Sequence, residues 1–246
     1  MAFEESDEIR CPSSRELITI WERGLGRPSG ERALLLLEVC VGARADELAG
    51  WSVGRRDAAL FRLRRVLFGE PLSSVARCRQ CLAQVDLSFT LSDIWAAGET
   101  SGPGRGVVSA EGYQVEFRAP DSTDLAAVRQ EESVEAGRSK LLKRCIVSVS
   151  PQADPPDAVV QAVVLAIAAS DPAADRRLDV VCAECGSHWE EIFDIAAWLS
   201  SEISAWVRKS LQEVHVLAAA YGWREEDILA MNPTRRQLYM SMLAQE

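Results

Sequence analysis

Four of the seven cysteines lie in two Cys-x-x-Cys pairs, and these pairs are the strongest chemical signal in the 246-residue sequence. Their members are Cys78, Cys81, Cys182 and Cys185. A Cys-x-x-Cys pair places two thiolates on one tight turn, and structural zinc takes four ligands in a tetrahedron. Two pairs complete one such shell. The sequence therefore predicts a structural zinc site formed by these four residues.

The two pairs are far apart in the chain, with Cys81 and Cys182 separated by 101 positions. The entropy of closing a loop grows only with the logarithm of its length, so binding zinc can outweigh the cost. A strand-like stretch and then Asp, Ile and Trp residues follow each pair. These residues are Asp93, Ile94 and Trp95 after the first pair and Asp194, Ile195 and Trp198 after the second. We interpret this as a weak internal repeat whose halves close on one metal ion.

Other uses of the cysteines compete with a zinc site. A Cys-x-x-Cys pair can be a dithiol redox centre, which needs a thiol at a helix N-terminus, but no convincing helix directly follows either pair. His188 could replace one cysteine as a ligand, and the four cysteines could also stay reduced without metal. The three remaining cysteines are expected to be small buried residues: Cys11, Cys40 and Cys145.

Catalytic chemistry has little support in the sequence. His188 and His215 are the only histidines, and His215 falls within a helical pattern. The acidic residues are scattered, and a four-cysteine zinc shell has no open position for a substrate. The glycine-rich segment 98–106 lacks the Lys-Ser/Thr pair and the following helix of a phosphate-binding loop. We therefore expect that the chain is not an enzyme.

Hydrophobic periodicity predicts an α+β fold that is mainly helical, with a central split zinc-ribbon-like module and a small β-hairpin insertion. We predict four parts: a helical N-terminal block over 1–72, a zinc-ribbon-like module formed by 73–97 with 178–197, an inserted hairpin and helices over 98–177, and a C-terminal helical hairpin over 198–246. The hairpin is expected at 107–110 and 113–117.

Capping residues and apolar stripes indicate where several helices begin and how they pack. Ser13, Ser29 and Ser52 are expected to cap the helices of the N-terminal block. An amphipathic stretch is expected over 140–147. A helix beginning after the linker 151–156 is expected to be mostly buried through Val159, Val163, Leu165 and Ile167.

Net charge and hydropathy limit the classes of partner and the cellular location that we expect. The net charge of −10 opposes extended contact with nucleic acid, because Lys and Arg drive that binding. No apolar stretch reaches the roughly 20 residues that cross a bilayer, so no membrane partner is expected. The acidic N-terminus lacks the features of a signal peptide, and the cysteine content favours a reducing compartment. A cytoplasmic location is therefore expected.

One segment keeps a nucleic-acid alternative open. Five arginines lie largely off the apolar stripe of one helix: Arg55, Arg56, Arg62, Arg64 and Arg65. We interpret them as a solvated face, which is the common use of such a pattern. The alternative is a zinc-ribbon regulator that contacts nucleic acid through these arginines.

Several stretches resemble the baseplate hub assembly chaperone family of contractile-tailed phages, particularly members encoded with extracellular contractile injection systems. They are RLRRVLFG at 62–69, the two cysteine pairs, DPAAD at 171–175, EVHVLAAAYGW at 213–223 and RRQLY at 235–239. The resemblance implies a non-enzymatic role in building the baseplate or tail of a contractile injection machine. The implied partners are baseplate or tail proteins, met in the cytoplasm or within the assembled particle. Leu82 follows Cys81 where the family pattern has glycine.

Large apolar and aromatic residues are concentrated in the C-terminal tail. They can pack on the long helix as a small core, or they can form a face that docks a partner. The predicted docking residues are Tyr221, Trp223, Met231 and Tyr239.

Overall fold

The computed structural model describes residues 9–95, 102 and 104–244. The fold is mixed α+β and mainly helical, with small sheets, which confirms the predicted class. The acidic residues 1–8 and residues 98–101 and 103 of the glycine-rich segment lie outside the described part. Within that part, no helix is long and apolar enough to cross a bilayer.

The helices and strands follow one another in three stretches of the chain. The first contains α1 (Ser14–Arg23), α2 (Ser29–Val41), α3 (Ala45–Ala49), α4 (Val53–Phe68), β1 (Pro71–Arg77), β2 (Gln84–Thr90) and α5 (Leu91–Ile94). The second contains β3 (Arg105–Ala110), β4 (Tyr113–Arg118), α6 (Ser122–Val128), α7 (Val134–Cys145), β5 (Ile146–Ser150) and α8 (Asp157–Ser170). The third contains a 3-10 helix (Pro172–Ala174), β6 (Arg177–Val181), β7 (His188–Ile192), α9 (Ile195–Tyr221), α10 (Glu225–Ala230) and α11 (Pro233–Leu243).

The chain divides into two compact units. Met1–Ala43 and Ala196–Glu246 form the first, and Arg44–Ile195 forms the second. The division differs from the four predicted parts, because helices of the predicted N-terminal block contribute to both units. Periodicity identifies a helix and its apolar face, but it does not say which other helix that face meets.

The first unit consists of helices, most of which bury an apolar face. Ser13 caps α1 as predicted, in a capping box with Glu16. The predicted cap at Ser29 is wrong: Pro28 is the N-cap residue of α2, and Ser29 is its first helical residue. Proline supplies no side-chain oxygen, and α2 has no side-chain cap. The buried apolar residues of this unit include Leu17, Ile20, Leu37, Val207, Leu217 and Ile228.

The second unit is organised around α4 and three small antiparallel sheets. Ser52 caps α4 as predicted, and its Oγ accepts a hydrogen bond from the backbone N–H of Arg55. Leu60, Phe61 and Leu63 on α4 have no exposed surface. The sheets pair β1 with β2, β6 with β7, and β3 with β4 and β5 in that order.

The predicted hairpin is present as β3 and β4, which are joined by Glu111 and Gly112. Both turn residues have positive φ, as a type I′ turn requires. The sequence did not predict the third strand of this sheet, β5, which pairs with β4. The amphipathic stretch expected over 140–147 is instead divided between the end of α7 and the start of β5.

Helix α8 packs on this sheet with one face only. Val159 and Val163 are buried against Val115 and Phe117. The expectation that Leu165 is buried is wrong, because 70% of it is exposed. Its helix is apolar nearly all round, so the sequence did not indicate which side meets the sheet.

A buried carboxylate ties α6 to its surroundings. The side chain of Asp124 is fully buried and accepts hydrogen bonds from Arg118 and from Arg144 Nε at 2.6 Å. Burial alone would raise the pKa of Asp124, but the hydrogen bonds from Arg118, the Asp121 backbone and Arg144 lower it to about 2.

We expect this carboxylate to make stability depend on pH. A free aspartate has a pKa of about 3.9, so the lowered pKa means that ionised Asp124 stabilises the fold above that value. The contribution is lost as pH falls through about 2. Asp124→Asn should lower stability at pH 7 and flatten the decline between about pH 4 and pH 2, measured by urea unfolding at several pH values. Asp46→Asn, in a solvent-exposed pair with Arg44, should change little. A parallel decline in the parent and the Asp124→Asn protein would contradict the assignment.

Candidate metal centre

Each cysteine pair lies at the turn of a two-stranded hairpin. Cys78 N donates to Ala83 O over 2.9 Å, and Leu82 N donates to Cys78 O over 3.1 Å. In the second hairpin, Cys182 N donates to Ser187 O over 2.8 Å, and Gly186 N donates to Cys182 O over 2.9 Å. The two turns therefore have the same backbone hydrogen bonds, and they are two copies of one loop.

The structure brings the four predicted cysteines into one cluster. Their Sγ atoms all lie within 4.8 Å of one another. The distance from Cys78 to Cys185 is 3.7 Å, and that from Cys81 to Cys182 is 3.6 Å. Four sulfurs at the zinc–sulfur bond length of about 2.3 Å would lie roughly 3.8 Å apart in a tetrahedron. The cluster thus has the ligand number and spacing of a metal site.

Burial and hydrogen bonding differ between the two positions of each pair. Cys78 and Cys182 are buried, whereas Cys81 and Cys185 are exposed. The backbone N–H of Cys81 is the main cause that lowers the pKa of Cys78 to about 6, although burial opposes it. Backbone hydrogen bonds oppose a rise in pKa at Cys81 and Cys185 as well, but burial and hydrogen bonds among the sulfurs raise the pKa of both. Thiolates are the form that binds metal.

The alternative ligand and the other cysteines lie outside the cluster. His188 Nε2 is 3.6 Å from Asp179 Oδ1 on the neighbouring strand, and it is not among the clustered ligand atoms. Cys40 and Cys145 are buried as expected, and burial raises the pKa of both. The expectation for Cys11 is wrong, because it is exposed.

An aromatic stack also joins the two hairpins to α4. Phe61 lies parallel to Trp95, which follows β2 and the short helix α5, at 5.6 Å between ring centroids. It also stacks on Phe193, which follows β7, at 6.0 Å, and Phe89 meets Phe193 edge-on at 6.1 Å. Trp95 belongs to the predicted repeat. Phe61 and Phe193 were missed, although Phe193 directly precedes the repeat residue Asp194.

Charged side chains add a further link near the cluster. Arg79, between the first two cysteines, lies 3.4 Å from a carboxylate oxygen of Glu191 on β7. The same oxygen accepts a 2.9 Å hydrogen bond from Trp189 Nε1. A residue of one hairpin turn is thus held against a strand of the other hairpin.

The interpretation of the α4 arginines as a solvated face is wrong for two of them. Arg56 is 5% exposed and pairs with Asp57, and Arg64 is 2% exposed and donates to the carbonyls of Gly69 and Pro71. Arg64 thereby joins the end of α4 to β1. Of the other three, Arg55 lies over the Trp51 ring, Arg65 pairs with Glu70, and Arg62 is exposed. This packing gives no support to a phosphate-binding face.

The turn residue Leu82 occupies a backbone conformation that favours glycine. Its φ is 63°, and that of Gly186 at the equivalent position is 70°. An L side chain in this region costs roughly 1–2 kcal/mol, and glycine avoids that cost but loses more entropy on folding. Leu82→Gly should therefore raise the free energy of unfolding by about 0.5–1 kcal/mol in urea titrations of the metal-loaded protein.

The second turn supplies the reciprocal variant. A Cβ at Gly186 would contact nothing within 4 Å, so Gly186→Ala tests backbone conformation alone. It should lower the free energy of unfolding by about 1 kcal/mol. If both turns share one backbone geometry, the two substitutions must change the free energy of unfolding in opposite directions.

Of the predicted docking residues, Tyr221 ends α9 and Tyr239 lies on α11, whereas Trp223 lies between α9 and α10 and Met231 directly follows α10. The rings of Tyr221, Trp223 and Tyr239 form one cluster, with centroid distances of 4.5 Å, 4.9 Å and 5.8 Å. Met231 is half-buried, and its carbonyl accepts a hydrogen bond from Arg236.

Comparison of the chain with protein families, with curated proteins and with solved structures finds no match.

Proposed function

We propose that the chain is a non-enzymatic structural or assembly protein of the baseplate or tail of a contractile injection machine, held together by zinc in the four-cysteine cluster. The observation that supports this proposal is that all four clustered ligand atoms are cysteine sulfurs, contributed by two hairpin turns. Such a shell leaves no position for a substrate, whereas catalytic zinc sites keep one open. The metal therefore serves to join the hairpins.

The chemistry of the ligands supports zinc. Four thiolates in a tetrahedron suit zinc or iron, and zinc is the usual ion of closed structural sites. Elemental analysis of freshly purified, reduced protein should find about one zinc per chain. A protein that contains iron in place of zinc, or no stoichiometric metal, would contradict the assignment.

The residues that carry the family resemblance have structural contacts, which supports a scaffold rather than a catalyst. Arg64 of the stretch 62–69 joins α4 to β1, and Asp171 of the stretch 171–175 accepts a 2.8 Å hydrogen bond from Gly54 N at the start of α4. Glu213 and Arg236 of the tail form a buried ion pair. These residues position elements of the fold relative to one another.

The proposed role takes place in the cytoplasm, where the baseplate or tail proteins are met before or within the assembled particle. Deleting the gene in its native host should leave particles without complete baseplates or tails in negative-stain electron micrographs. Expression of the parent protein should restore them, whereas the Cys182→Ser protein should not. Intact particles in the deletion strain would overturn the proposal. Retention with purified particles indicates a component, and loss indicates a chaperone.

A dithiol oxidoreductase is the second candidate, because each Cys-x-x-Cys pair has the spacing of a redox dithiol. It predicts disulfide reductase turnover by the parent protein and none by Cys78→Ser. The structural proposal predicts no turnover by either protein.

A further inference from the structure

The sulfurs of the four-cysteine cluster make two close contacts between the hairpins. Sγ of Cys78 lies 3.7 Å from Sγ of Cys185. Sγ of Cys81 lies 3.6 Å from Sγ of Cys182. Two sulfurs at this distance are in van der Waals contact, and an S–S bond is about 2.05 Å long. Each contact therefore needs only a small side-chain movement to become a covalent bond between the hairpins.

Each contact joins one exposed and one buried sulfur. Cys81 and Cys185 are exposed, whereas Cys78 and Cys182 are 0% and 1% exposed. An exposed thiolate with a second thiol beside it is the arrangement that oxidises readily to a disulfide. A small oxidant can thus reach one sulfur of each contact, and the sulfur that resolves the reaction belongs to the other hairpin.

The consequence of oxidation depends on which sulfurs become bonded. A bond between the hairpins spans 107 positions for Cys78 and Cys185, or 101 positions for Cys81 and Cys182. A bond within a Cys-x-x-Cys pair spans only three positions. A crosslink that closes a long loop removes more conformational entropy from the unfolded chain. Bonds between the hairpins would therefore keep the module closed without a metal ion, whereas bonds within the pairs would leave the hairpins unjoined.

We infer that the cluster is an oxidative modification site, at which a peroxide converts the four thiolates into the disulfides Cys78–Cys185 and Cys81–Cys182. The inference rests on the proposed function only for the zinc ion that oxidation displaces. It adds that the hairpins stay joined in an oxidising compartment, where thiols do not persist.

The same two steps occur at each contact. The exposed thiolate attacks one oxygen of the peroxide, the O–O bond breaks, and hydroxide leaves, so that the sulfur becomes a sulfenic acid. The buried thiolate then attacks that sulfur, the S–S bond forms, and a second hydroxide leaves. Two molecules of hydrogen peroxide thus accept four electrons from four thiolates and become four hydroxide ions. The zinc ion is released because a disulfide sulfur is no longer a thiolate ligand.

Titration of the zinc-loaded protein with hydrogen peroxide tests the inference. The Cys11→Ser protein is used, because Cys11 is exposed outside the cluster and would also consume peroxide. A chromogenic chelator should detect complete zinc release at about two equivalents of peroxide per chain. The oxidised protein should unfold at a higher temperature than the reduced, metal-free protein, and a reductant should remove that difference.

Peptide mapping under non-reducing conditions identifies the bonds directly. Trypsin cuts after Arg79 and a glutamate-specific protease cuts after Glu184, so the four cysteines fall on separate peptides. Mass spectrometry should then find the two bonds between the hairpins. Bonds within either Cys-x-x-Cys pair, sulfinic acids in place of disulfides, or zinc that stays bound in excess peroxide would overturn the inference.

The proposed function fails through different observations. Intact particles in the deletion strain would overturn the baseplate or tail role and leave the disulfide pairing as it is. Protein that purifies without zinc would overturn the metal assignment, and the same mapping would then begin from four free thiols. The pairing of the sulfurs is thereby decided with or without the metal ion.

Discussion

Replacing Cys185 with serine is expected to unfold the zinc-ribbon-like module, whereas replacing Cys11 with serine should leave stability within about 0.5 kcal/mol of the parent. Both cysteines are exposed, so loss of packing does not distinguish the two variants. Only Cys185 belongs to the four-sulfur cluster. Structural zinc contributes about 10–16 kcal/mol of apparent binding free energy, which is comparable to the whole stability of a domain. Losing one of its four ligands should therefore remove most of the module's stability.

Metal content and unfolding measured together test this expectation. The Cys185→Ser protein should purify with less than one zinc per chain, lower strand content by circular dichroism and a broad thermal transition. Chelator should lower the unfolding temperature of the parent and of Cys11→Ser, but it should have little further effect on Cys185→Ser. If the Cys185→Ser and Cys11→Ser proteins unfold alike, the cluster does not hold a stabilising metal.

Serine substitutions at two buried cysteines extend the comparison. Cys182 in the cluster and Cys145 outside it are both buried, so each serine substitution also loses a packed sulfur. That loss is common to both variants, and the difference between them reports metal binding. Cys182→Ser should be the more damaging by several kcal/mol, on the scale of structural zinc binding.

Local chemistry made each cysteine pair and several helix ends predictable from sequence. A Cys-x-x-Cys spacing brings two sulfurs together through one turn, whatever the rest of the fold does. Likewise, the capping box of Ser13 and Glu16 involves residues within one helical turn, and Gly42 ends α2 with a positive φ. These features depend on neighbours in the chain, so they can be recognised without tertiary structure.

Burial of charged residues could not be predicted in the same way. Arg64 is buried because the carbonyls of Gly69 and Pro71 accept its hydrogen bonds where the chain turns from α4 into β1. A helical pattern places this arginine off the apolar stripe and therefore predicts a solvated position. The strand after α7 was missed for a related reason. β5 is short and is completed by pairing with β4, which is distant in sequence.

Removing Glu213 or Arg236 alone is expected to destabilise the first unit by about 3–5 kcal/mol, because each deletion leaves an unpaired buried charge. The two side chains are 8% and 2% exposed, and Arg236 also donates to the carbonyl of Met231. Glu213→Gln is the mildest test, since it keeps the shape and removes only the charge. It should lower the free energy of unfolding well below that of the parent in urea titrations.

An exposed ion pair and a double variant show whether the loss in stability comes from leaving a buried charge unpaired. Arg23 and Glu38 form an exposed pair at 3.2 Å in the same unit, and Glu38→Gln should cost less than about 1 kcal/mol. Replacing the buried pair together, as Glu213→Leu with Arg236→Met, should be less harmful than either single removal, because no charge is left without a partner. Equal effects of Glu213→Gln and Glu38→Gln would mean that the buried pair does not anchor α11.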